Sequence, residues 1–380
     1  MTRAISRAID VRSLPLAWPL ARASTRRRPH PAPTRAASLA SLVLADILQA
    51  SVSTPAPYAP SAMSSEDGYA QLFVCAFILI VGAIGMQTSL ENEEVTREAA
   101  LADKVRSQME AMARASQTAM SSDGKVGAIS TALVVERLRT RGVARVDGVL
   151  SAETSASLAS FVAATLDANE ATTGKAKLSP DVFGNVYCKK NRWDVKLAYD
   201  APVKRALEEC ARGLGDILRE ACGDDARLVE LAALVSDPGS MRQPVHPDTA
   251  YRRDPTVYTT FVALQDVTRD MGPTLFIPET NTARAHAEFR DGAERGGLAL
   301  ARGNEVALIS RGDATMFDSR TLHCGMENES DTRRVLFYFS FQVSGSDNPN
   351  AAVSTIREDL RDRVTLADLL PSRPSSRTGM

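Results

Sequence analysis

The chain has 380 residues and a formal net charge of −1, so its bulk charge gives no indication of a nucleic-acid partner, and we expect none. Hydrophobic residues make up 44% of the sequence, which is enough for a folded protein although aromatic residues are only 5%. The five cysteines are scattered and form no C-x-x-C pair, so neither a disulfide framework nor a zinc site is indicated.

Residues 1–62 form a leader of distinct composition. Eight arginines, no lysine and only two acids, Asp10 and Asp46, stand among many Ser, Ala and Pro residues. Such an Arg-rich, Ser-rich and acid-poor segment is typical of an organelle transit peptide. A disordered basic tail, or translation that starts at Met63, would give the same pattern, and both remain open.

The second segment, residues 63–88, contains an apolar run from Leu72 to Met86. A spanning helix needs roughly 17–25 apolar residues, and the run approaches that length. We therefore expect a single-pass membrane anchor through residues 70–88, in a plastid, a mitochondrion or an endomembrane. A signal-peptide core and a buried helix are the alternatives.

Residues 89–126 are predicted to be a helical linker. Apolar residues recur at helical spacing along 89–123, and Asp123-Gly124 is expected to end the helix. The apolar stripe is narrow, which favours a stalk or weak self-association through 89–123.

Residues 127–345 have the pattern of one compact domain, in which three helices are followed by a run of strands. The strands are predicted at 228–235, 257–264, 274–277, 306–309, 314–317 and 335–341. This order indicates an α+β fold, with helices supporting one face of an antiparallel sandwich or barrel. Residues 346–380 are expected to form a peripheral tail.

The candidate metal ligands are two histidines and one aspartate. His246 and Asp248 are separated by one residue, and side chains at i and i+2 of an extended chain point to the same side. His323 follows a later predicted strand. Two imidazoles and one carboxylate can occupy one face of an octahedral iron(II) and leave three positions open. Taken singly, each of these residues is better explained by a structural role.

An arginine at a set distance strengthens this interpretation. Arg333 and Arg334 begin the last predicted strand, 10 and 11 positions after His323. A guanidinium offers two parallel donors, which suits the distal carboxylate of a chelating oxo-acid. Because side chains alternate along a strand, only one of the two can face inward.

The stretch from about 128 to 345 resembles the phytanoyl-CoA dioxygenase family of iron(II), 2-oxoglutarate-dependent oxygenases. The resemblance rests on Gln243–Asp248, on Met271–Pro278, on Arg311–Gly325, and on Asn328 with Ser330–Arg333. It implies a double-stranded β-helix, or jelly roll, with Fe(2+), 2-oxoglutarate and O₂ at its open end and ascorbate as a reductant.

The resemblance also implies residue roles. His246, Asp248 and His323 match the iron ligands, and Arg333 is preferred over Arg334 as the 2-oxoglutarate arginine. The family often has a hydroxyl residue two positions after the distal histidine, where this chain has Gly325. Tyr258 and Thr260 are candidates to supply the missing hydrogen bond.

We therefore expect a hydroxylase of a small-molecule or lipid-like substrate that releases succinate and CO₂. The carboxylate of Asp248 favours hydroxylation over halide transfer, since related halide-transferring oxygenases have a small residue there. A non-catalytic jelly-roll binding module and a cupin-type metal oxygenase that does not use 2-oxoglutarate are the alternatives. The segment 187–194 is a candidate for the substrate mouth, whereas His286 and Cys324 are expected to be structural.

Overall fold

The computed structural model describes residues 65–112, 116–173, 179–290, 299–347 and 355–370. Contacts divide the chain into two units, residues 1–93 and 94–380. Both sheets and all of the residues discussed as a site belong to the second unit. The predicted leader, residues 1–62, lies outside the described residues.

Helix α1 (Ser65–Met112) runs through the segments predicted as anchor and linker. Its predicted end at Asp123-Gly124 is wrong, because the helix ends at Met112 and residues Gln117–Ala119 form strand β1. Met112 is buried among apolar residues that include Val245, and the Val245 N–H donates to the Gln108 side chain over 2.8 Å. The last turns of α1 are therefore part of the compact domain, and these contacts give no support to a free stalk.

No helix among the described residues is both long and apolar enough to cross a membrane. Most side chains of residues 70–88 lie outside the described part of the chain, although the backbone there belongs to α1. The predicted membrane anchor therefore has no support from the structure.

Three helices pack on one face of the domain, as predicted. They are α2 (Thr131–Thr140), α3 (Ala152–Thr173) and α4 (Ala201–Cys222). Helix α4 is strongly amphipathic, begins with a proline in its first turn and ends at Gly223, whose φ of 86° is open to glycine without strain. Its buried stripe packs in a core that it shares with α2, α3 and one face of the larger sheet.

Two sheets form the centre of the domain. The four-stranded sheet has the order β1-β7-β6-β9 and the six-stranded sheet has the order β2-β8-β5-β10-β4-β3. The strands not yet given are β2 (Val143–Val146), β3 (Arg192–Lys196), β4 (Arg227–Ser236), β5 (Val257–Ala263), β6 (Thr274–Phe276), β7 (Asn304–Val306), β8 (Ala314–Asp318), β9 (His323–Gly325) and β10 (Arg334–Gln342). Phe276 of the smaller sheet packs against Phe317 of the larger one, in a cluster that also contains Phe261, so the sheets face each other.

The chain crosses repeatedly between these sheets. After β4 in the larger sheet, His246 bridges to β9 in the smaller one. The chain then passes through β5 (larger), β6 and β7 (smaller), β8 (larger), β9 (smaller) and β10 (larger). This alternation is the jelly-roll arrangement expected from the sequence, and the α+β fold is confirmed.

The two faces of the larger sheet have different neighbours. Along β10, Val335, Phe337 and Phe339 pack in the helix-side core, whereas Leu336 and Tyr338 face the smaller sheet. Alternation of side chains on each strand therefore decides which residues reach the interior of the jelly roll.

The predicted peripheral tail, residues 346–380, is wrong over its described part. The segment 355–370 carries a short 3₁₀ turn, Glu358–Leu360, and a short helix, α6 (Leu366–Leu369). It places Ile356, Leu360, Val364 and Leu366 in the helix-side core. This segment is part of the domain because its apolar residues cover α4 and the strands that precede it.

Candidate metal centre and active-site cavity

His246 and His323 are brought together by the backbone. The two residues form an antiparallel bridge in which the His246 N–H donates to the His323 carbonyl over 2.9 Å and the reverse bond is 3.0 Å. Their rings lie 4.7 Å apart between centroids. A histidine in the short segment before β5 therefore meets one in β9, although the two are far apart in sequence.

Asp248 lies two residues beyond His246 and is held by its own backbone. Its N–H donates to the Ser319 carbonyl over 2.9 Å. The Asp248 Oδ1 atom lies 3.8 Å from His246 Nε2 and 3.6 Å from His323 Nε2. Among the described residues this is the one group of three such side chains with ligand atoms near enough for a metal, all within 4.8 Å of one another.

Both imidazoles are prepared to offer Nε2 to a metal. The Nδ1 atom of His246 lies 2.8 Å from the Pro244 carbonyl, and that of His323 lies 3.0 Å from the Thr321 carbonyl. A carbonyl only accepts, so Nδ1 carries the proton and Nε2 keeps its lone pair. Burial lowers the pKa of both histidines to about 4, and for His246 the nearby His323 adds to this. Both rings are therefore neutral at pH 7.

Aromatic rings fix the two imidazoles in place. Tyr187 packs on His246 with centroids 4.7 Å apart, and Phe317 and Phe276 pack on His323 at 4.9 Å and 5.8 Å. Tyr187 is half exposed and lies in the segment 187–194 that the sequence offered as a substrate mouth. Tyr187 and Asp194 of that segment line the cavity, as proposed from the sequence.

The triad opens into a cavity of about 400 Å³. Its walls are mixed, with hydroxyl, amide and carboxyl groups beside an apolar part of similar extent. Besides the triad, the lining residues include Asn185, Asp194, Glu230, Gln243, Thr249, Thr259, Ser319, Tyr338 and Thr355, with Val229, Leu234, Val257 and Phe261.

Sequence analysis gave no separate role to two acids in this wall, Glu230 and Asp194, the second of which ends the segment 187–194. Asp194 accepts hydrogen bonds from Tyr338 (2.8 Å) and Thr355 (2.9 Å), and burial raises its pKa to about 6. Glu230 accepts one from Ser340 (2.5 Å), and burial, with the charge of Asp248, raises its pKa to about 7. Glu230 interrupts the apolar run of β4, and that interruption was the signal that could have identified it.

The structure places Arg334, and not the preferred Arg333, on the side of β10 that faces the cavity. Arg333 points to the surface, where it pairs with Asp237 (Nε to Oδ1, 2.5 Å). Arg334 is fully buried and lies on the same face of β10 as Tyr338, which lines the cavity. The physical reason is strand alternation, because a shift of one position moves a side chain to the opposite face.

Tyr258 and Thr260, the two candidates to replace a hydroxyl at position 325, lie on the face of β5 that is turned away from the cavity. Tyr258 packs in the helix-side core, and Thr260 shares its face of β5, whereas Thr259 between them lines the cavity. Gln243 lies against position 325, and its Oε1 atom accepts from the Gly325 N–H over 2.8 Å. A Cβ atom at residue 325 would lie 2.7 Å from that oxygen, which explains the glycine.

Cys324 and His286, which were expected to be structural, are both buried and are not among the residues that line the cavity. Cys324 is buried with Leu275 and Leu322 on the side opposite the cavity. His286 is buried on helix α5 (Ala283–Arg290), where its Nε2 atom lies 2.7 Å from the Arg320 carbonyl.

The sequence profile of the phytanoyl-CoA dioxygenase (PhyH) family matches residues 138–336, which is more than half of the chain. This chain belongs to the PhyH family. As a PhyH protein it is a non-haem iron, 2-oxoglutarate-dependent enzyme. Its residues fit that chemistry, because two neutral imidazoles and one carboxylate meet at the wall of a cavity, with a buried arginine nearby.

Several solved structures resemble this PhyH protein at low identity. The α-ketoglutarate-dependent carbocyclase SnoK from nogalamycin biosynthesis is 19% identical with a TM-score of 0.45, over 58% of this chain and 86% of that one. AviO1 from Streptomyces viridochromogenes is 20% identical with a TM-score of 0.44, over 58% and 97%. HygX from Streptomyces hygroscopicus, solved with nickel and 2-oxoglutarate, is 13% identical with a TM-score of 0.40, over 59% and 94%. No curated protein matches the chain.

Proposed function

We propose that this protein hydroxylates a small polar molecule, with His246, Asp248 and His323 holding iron(II) and Arg334 binding the distal carboxylate of 2-oxoglutarate. The observation that supports this most is the convergence of the three ligand atoms within 4.8 Å at the wall of a cavity that also carries polar side chains. Bound iron supplies the oxidation of a substrate C–H bond by O₂, coupled to conversion of 2-oxoglutarate to succinate and CO₂.

The side chains of the triad have separate tasks in this proposal. The neutral imidazoles supply nitrogen donors, and the carbonyls of Pro244 and Thr321 hold their orientation. Asp248 supplies the one anionic ligand and so occupies a position that a halide would need. Its presence therefore favours hydroxylation.

The cavity favours a polar substrate over a lipid. A volume of about 400 Å³ has to hold 2-oxoglutarate as well as the reacting part of the substrate. Asp194 and Glu230 offer carboxyl oxygens to the interior beside the hydroxyls of Thr259 and Thr355. These groups suit a molecule that donates hydrogen bonds, such as an amine or a polyol. A long alkyl chain would remove water from these polar groups and offer them no hydrogen bond in return, at a cost in free energy.

The substrate class can be tested by release of succinate. The full chain with iron(II), ascorbate and 2-oxoglutarate is incubated with matched panels of polyols, amines and fatty acyl compounds. We expect polyols or amines to stimulate succinate release above the substrate-free rate, with incorporation of one oxygen atom into the product. Stimulation by fatty acyl compounds alone would contradict the polar-substrate proposal.

We also propose that the leader directs the protein to an organelle. The Arg-rich and acid-poor composition of residues 1–62 and the apolar run 72–86 support this. The mature N-terminus, sequenced from the native cell, separates a cleaved leader from a start at Met63 and from a retained anchor. A mature protein that keeps residues 1–62 would contradict the transit-peptide proposal.

A further inference from the structure

Two buried guanidinium groups lie side by side near the metal centre. Arg192 of β3 and Arg334 of β10 both pair in register with Ser236 of β4, which lies between them. Arg192 is 1% exposed and Arg334 is 0% exposed. Both donate to the same Ser236 Oγ atom, Arg192 over 3.1 Å and Arg334 over 2.9 Å.

Neither guanidinium has an acidic partner within ion-pair distance in the described part of the chain. Arg192 donates further to the Met326 carbonyl over 3.0 Å, and Arg334 donates to the Gly272 carbonyl. The Nη1 atom of Arg192 and the Nε atom of Arg334 are buried with no hydrogen-bond partner. Burial lowers the pKa of Arg192 to about 10 and that of Arg334 to about 9, so both remain charged at pH 7.

Two unpaired cations in a protein interior are unfavourable without an anion. Removing a charge from water costs several kcal/mol, and like charges that share a small site add repulsion. The usual structural explanation for a buried arginine is a buried carboxylate, and no described carboxylate lies within ion-pair distance of either group, although the charge of Glu327 acts on Arg192 from farther away. The presence of two buried arginines is therefore better explained by binding of an anionic ligand than by a contribution to the stability of the fold.

The arginine pair is located at the metal end of the cavity. A Cβ atom at Gly325 would lie 3.6 Å from Arg192 Nη2, and Gly325 is two residues after the metal ligand His323. Gly325 and Gln243, whose side chain also contacts this position, both line the cavity. The glycine therefore leaves the Arg192 guanidinium directly behind the cavity wall.

We propose that Arg192 is a second binding residue for the distal carboxylate of 2-oxoglutarate, so that this carboxylate lies between two guanidiniums. The inference rests on the proposed function, which assigns Arg334 to the same carboxylate. Because residue 325 is a glycine, it offers no hydroxyl to this carboxylate, and Arg192 supplies a hydrogen bond in its place. Because both arginines bind only the distal group, the site selects dicarboxylic oxo-acids over monocarboxylic ones.

The test uses calorimetry on the full chain and does not depend on turnover. Binding of 2-oxoglutarate, of glutarate and of 2-oxobutyrate is measured for wild type, Arg192→Met, Arg334→Met and the control Arg333→Met. Arg333 begins the same strand but pairs with Asp237 at the surface. The thermal unfolding temperature of each ligand-free variant is recorded as well.

We expect Arg192→Met to weaken 2-oxoglutarate binding about 10- to 100-fold, which corresponds to loss of a hydrogen bond to a charged group. Its affinity for 2-oxobutyrate, which lacks the distal carboxylate, should be unchanged, as should all affinities of Arg333→Met. The ligand-free Arg192→Met protein should unfold at the wild-type temperature or above it, since a buried unpaired charge has been removed. Arg192→Lys keeps the charge and should bind with intermediate affinity.

The alternative outcomes are distinct. If Arg192→Met or Arg192→Lys binds 2-oxoglutarate as tightly as wild type while Arg334→Met does not, the role of Arg192 is overturned and the proposed function stands. A lower unfolding temperature together with unchanged affinity would assign Arg192 to the fold alone. If wild type binds glutarate through Arg192 but not 2-oxoglutarate, the proposed function fails and the anion site remains. If wild type binds none of the three acids, both are overturned.

Discussion

His246 and His323 exchange backbone hydrogen bonds across an antiparallel bridge, so the position of one imidazole fixes the position of the other. The bridge joins the segment before β5 to β9, and Asp248 follows two residues along the same extended segment. Three ligands are thus held by backbone geometry before any metal binds. Such preorganisation reduces the free-energy cost of assembling the site.

Removing either bridging imidazole should prevent retention of iron. We expect wild type to hold about one iron(II) per chain after anaerobic dialysis and His246→Ala to hold almost none, because two protein ligands bind iron weakly. His286→Ala is the matched control, since His286 is also buried but bonds only to the Arg320 carbonyl. Metal analysis measures the difference. Equal iron contents in the two variants would place the metal elsewhere.

Gly325→Ser should destabilise the protein although it introduces the hydroxyl found in many relatives. The new Cβ atom would lie 2.7 Å from Gln243 Oε1, so the amide must move and lose its bond to the residue 325 N–H. We expect a loss of about 1–3 kcal/mol in the free energy of unfolding. Denaturant titration is the measurement.

A second substitution provides the control for Gly325→Ser. Gln243→Ala removes the clashing oxygen, so the double variant should lose less stability than the sum of the two single variants. Additive losses would mean that Gly325 is required for another reason. Gly303→Ser, at an exposed glycine, should change stability by no more than about 0.5 kcal/mol.

Glu230→Gln should stabilise the protein at alkaline pH. The pKa of Glu230 is raised from 4.5 to about 7 in the folded protein, so the folded state loses stability as pH rises from 4.5 through 7. Glutamine does not ionise and avoids this loss. We expect a gain on the order of 2 kcal/mol at pH 8 and a much smaller one at pH 5, measured by thermal unfolding.

Glu329→Gln is the control for this pH effect, because Glu329 is exposed. It should leave the unfolding temperature unchanged at both pH values. A Glu230→Gln variant that is less stable than wild type at pH 8 would show that the charged carboxylate is favourable in the cavity.

Leu366→Ala should destabilise the domain by about 2–5 kcal/mol, because this side chain of the segment that follows β10 is fully buried in the helix-side core. Leu133→Ala, at a residue that is 46% exposed on α2, should have an effect within about 0.5 kcal/mol. Urea unfolding of both variants provides the comparison. Similar values would support the original expectation of a peripheral tail.

The structure brings together the three side chains that local sequence patterns indicated as candidate metal ligands. An H-x-D pair on an extended chain and a histidine after a strand are local features, and their order along the chain identifies the family. The six predicted strands all overlap observed ones, although β7 begins two residues earlier than expected.

The candidate residues that the structure places away from the cavity are those whose position depends on which face of a strand they occupy. Strands β5 and β10 are covered on both sides, so every residue in them is buried and the period of two disappears from the sequence. Without that period, Arg333 cannot be distinguished from Arg334, or Thr259 from Thr260. The role of Thr355 was missed because its contact with Asp194 joins residues that are distant in sequence.

The central claim is that His246, Asp248 and His323 hold the iron to which 2-oxoglutarate binds. The most direct test is anaerobic calorimetry of 2-oxoglutarate with the full chain, with and without iron(II), for wild type, His323→Ala and His286→Ala. Iron(II) should strengthen 2-oxoglutarate binding at least about tenfold in wild type and His286→Ala but not in His323→Ala. Binding that is equally tight without iron(II), or that iron(II) still strengthens in His323→Ala, would contradict the account.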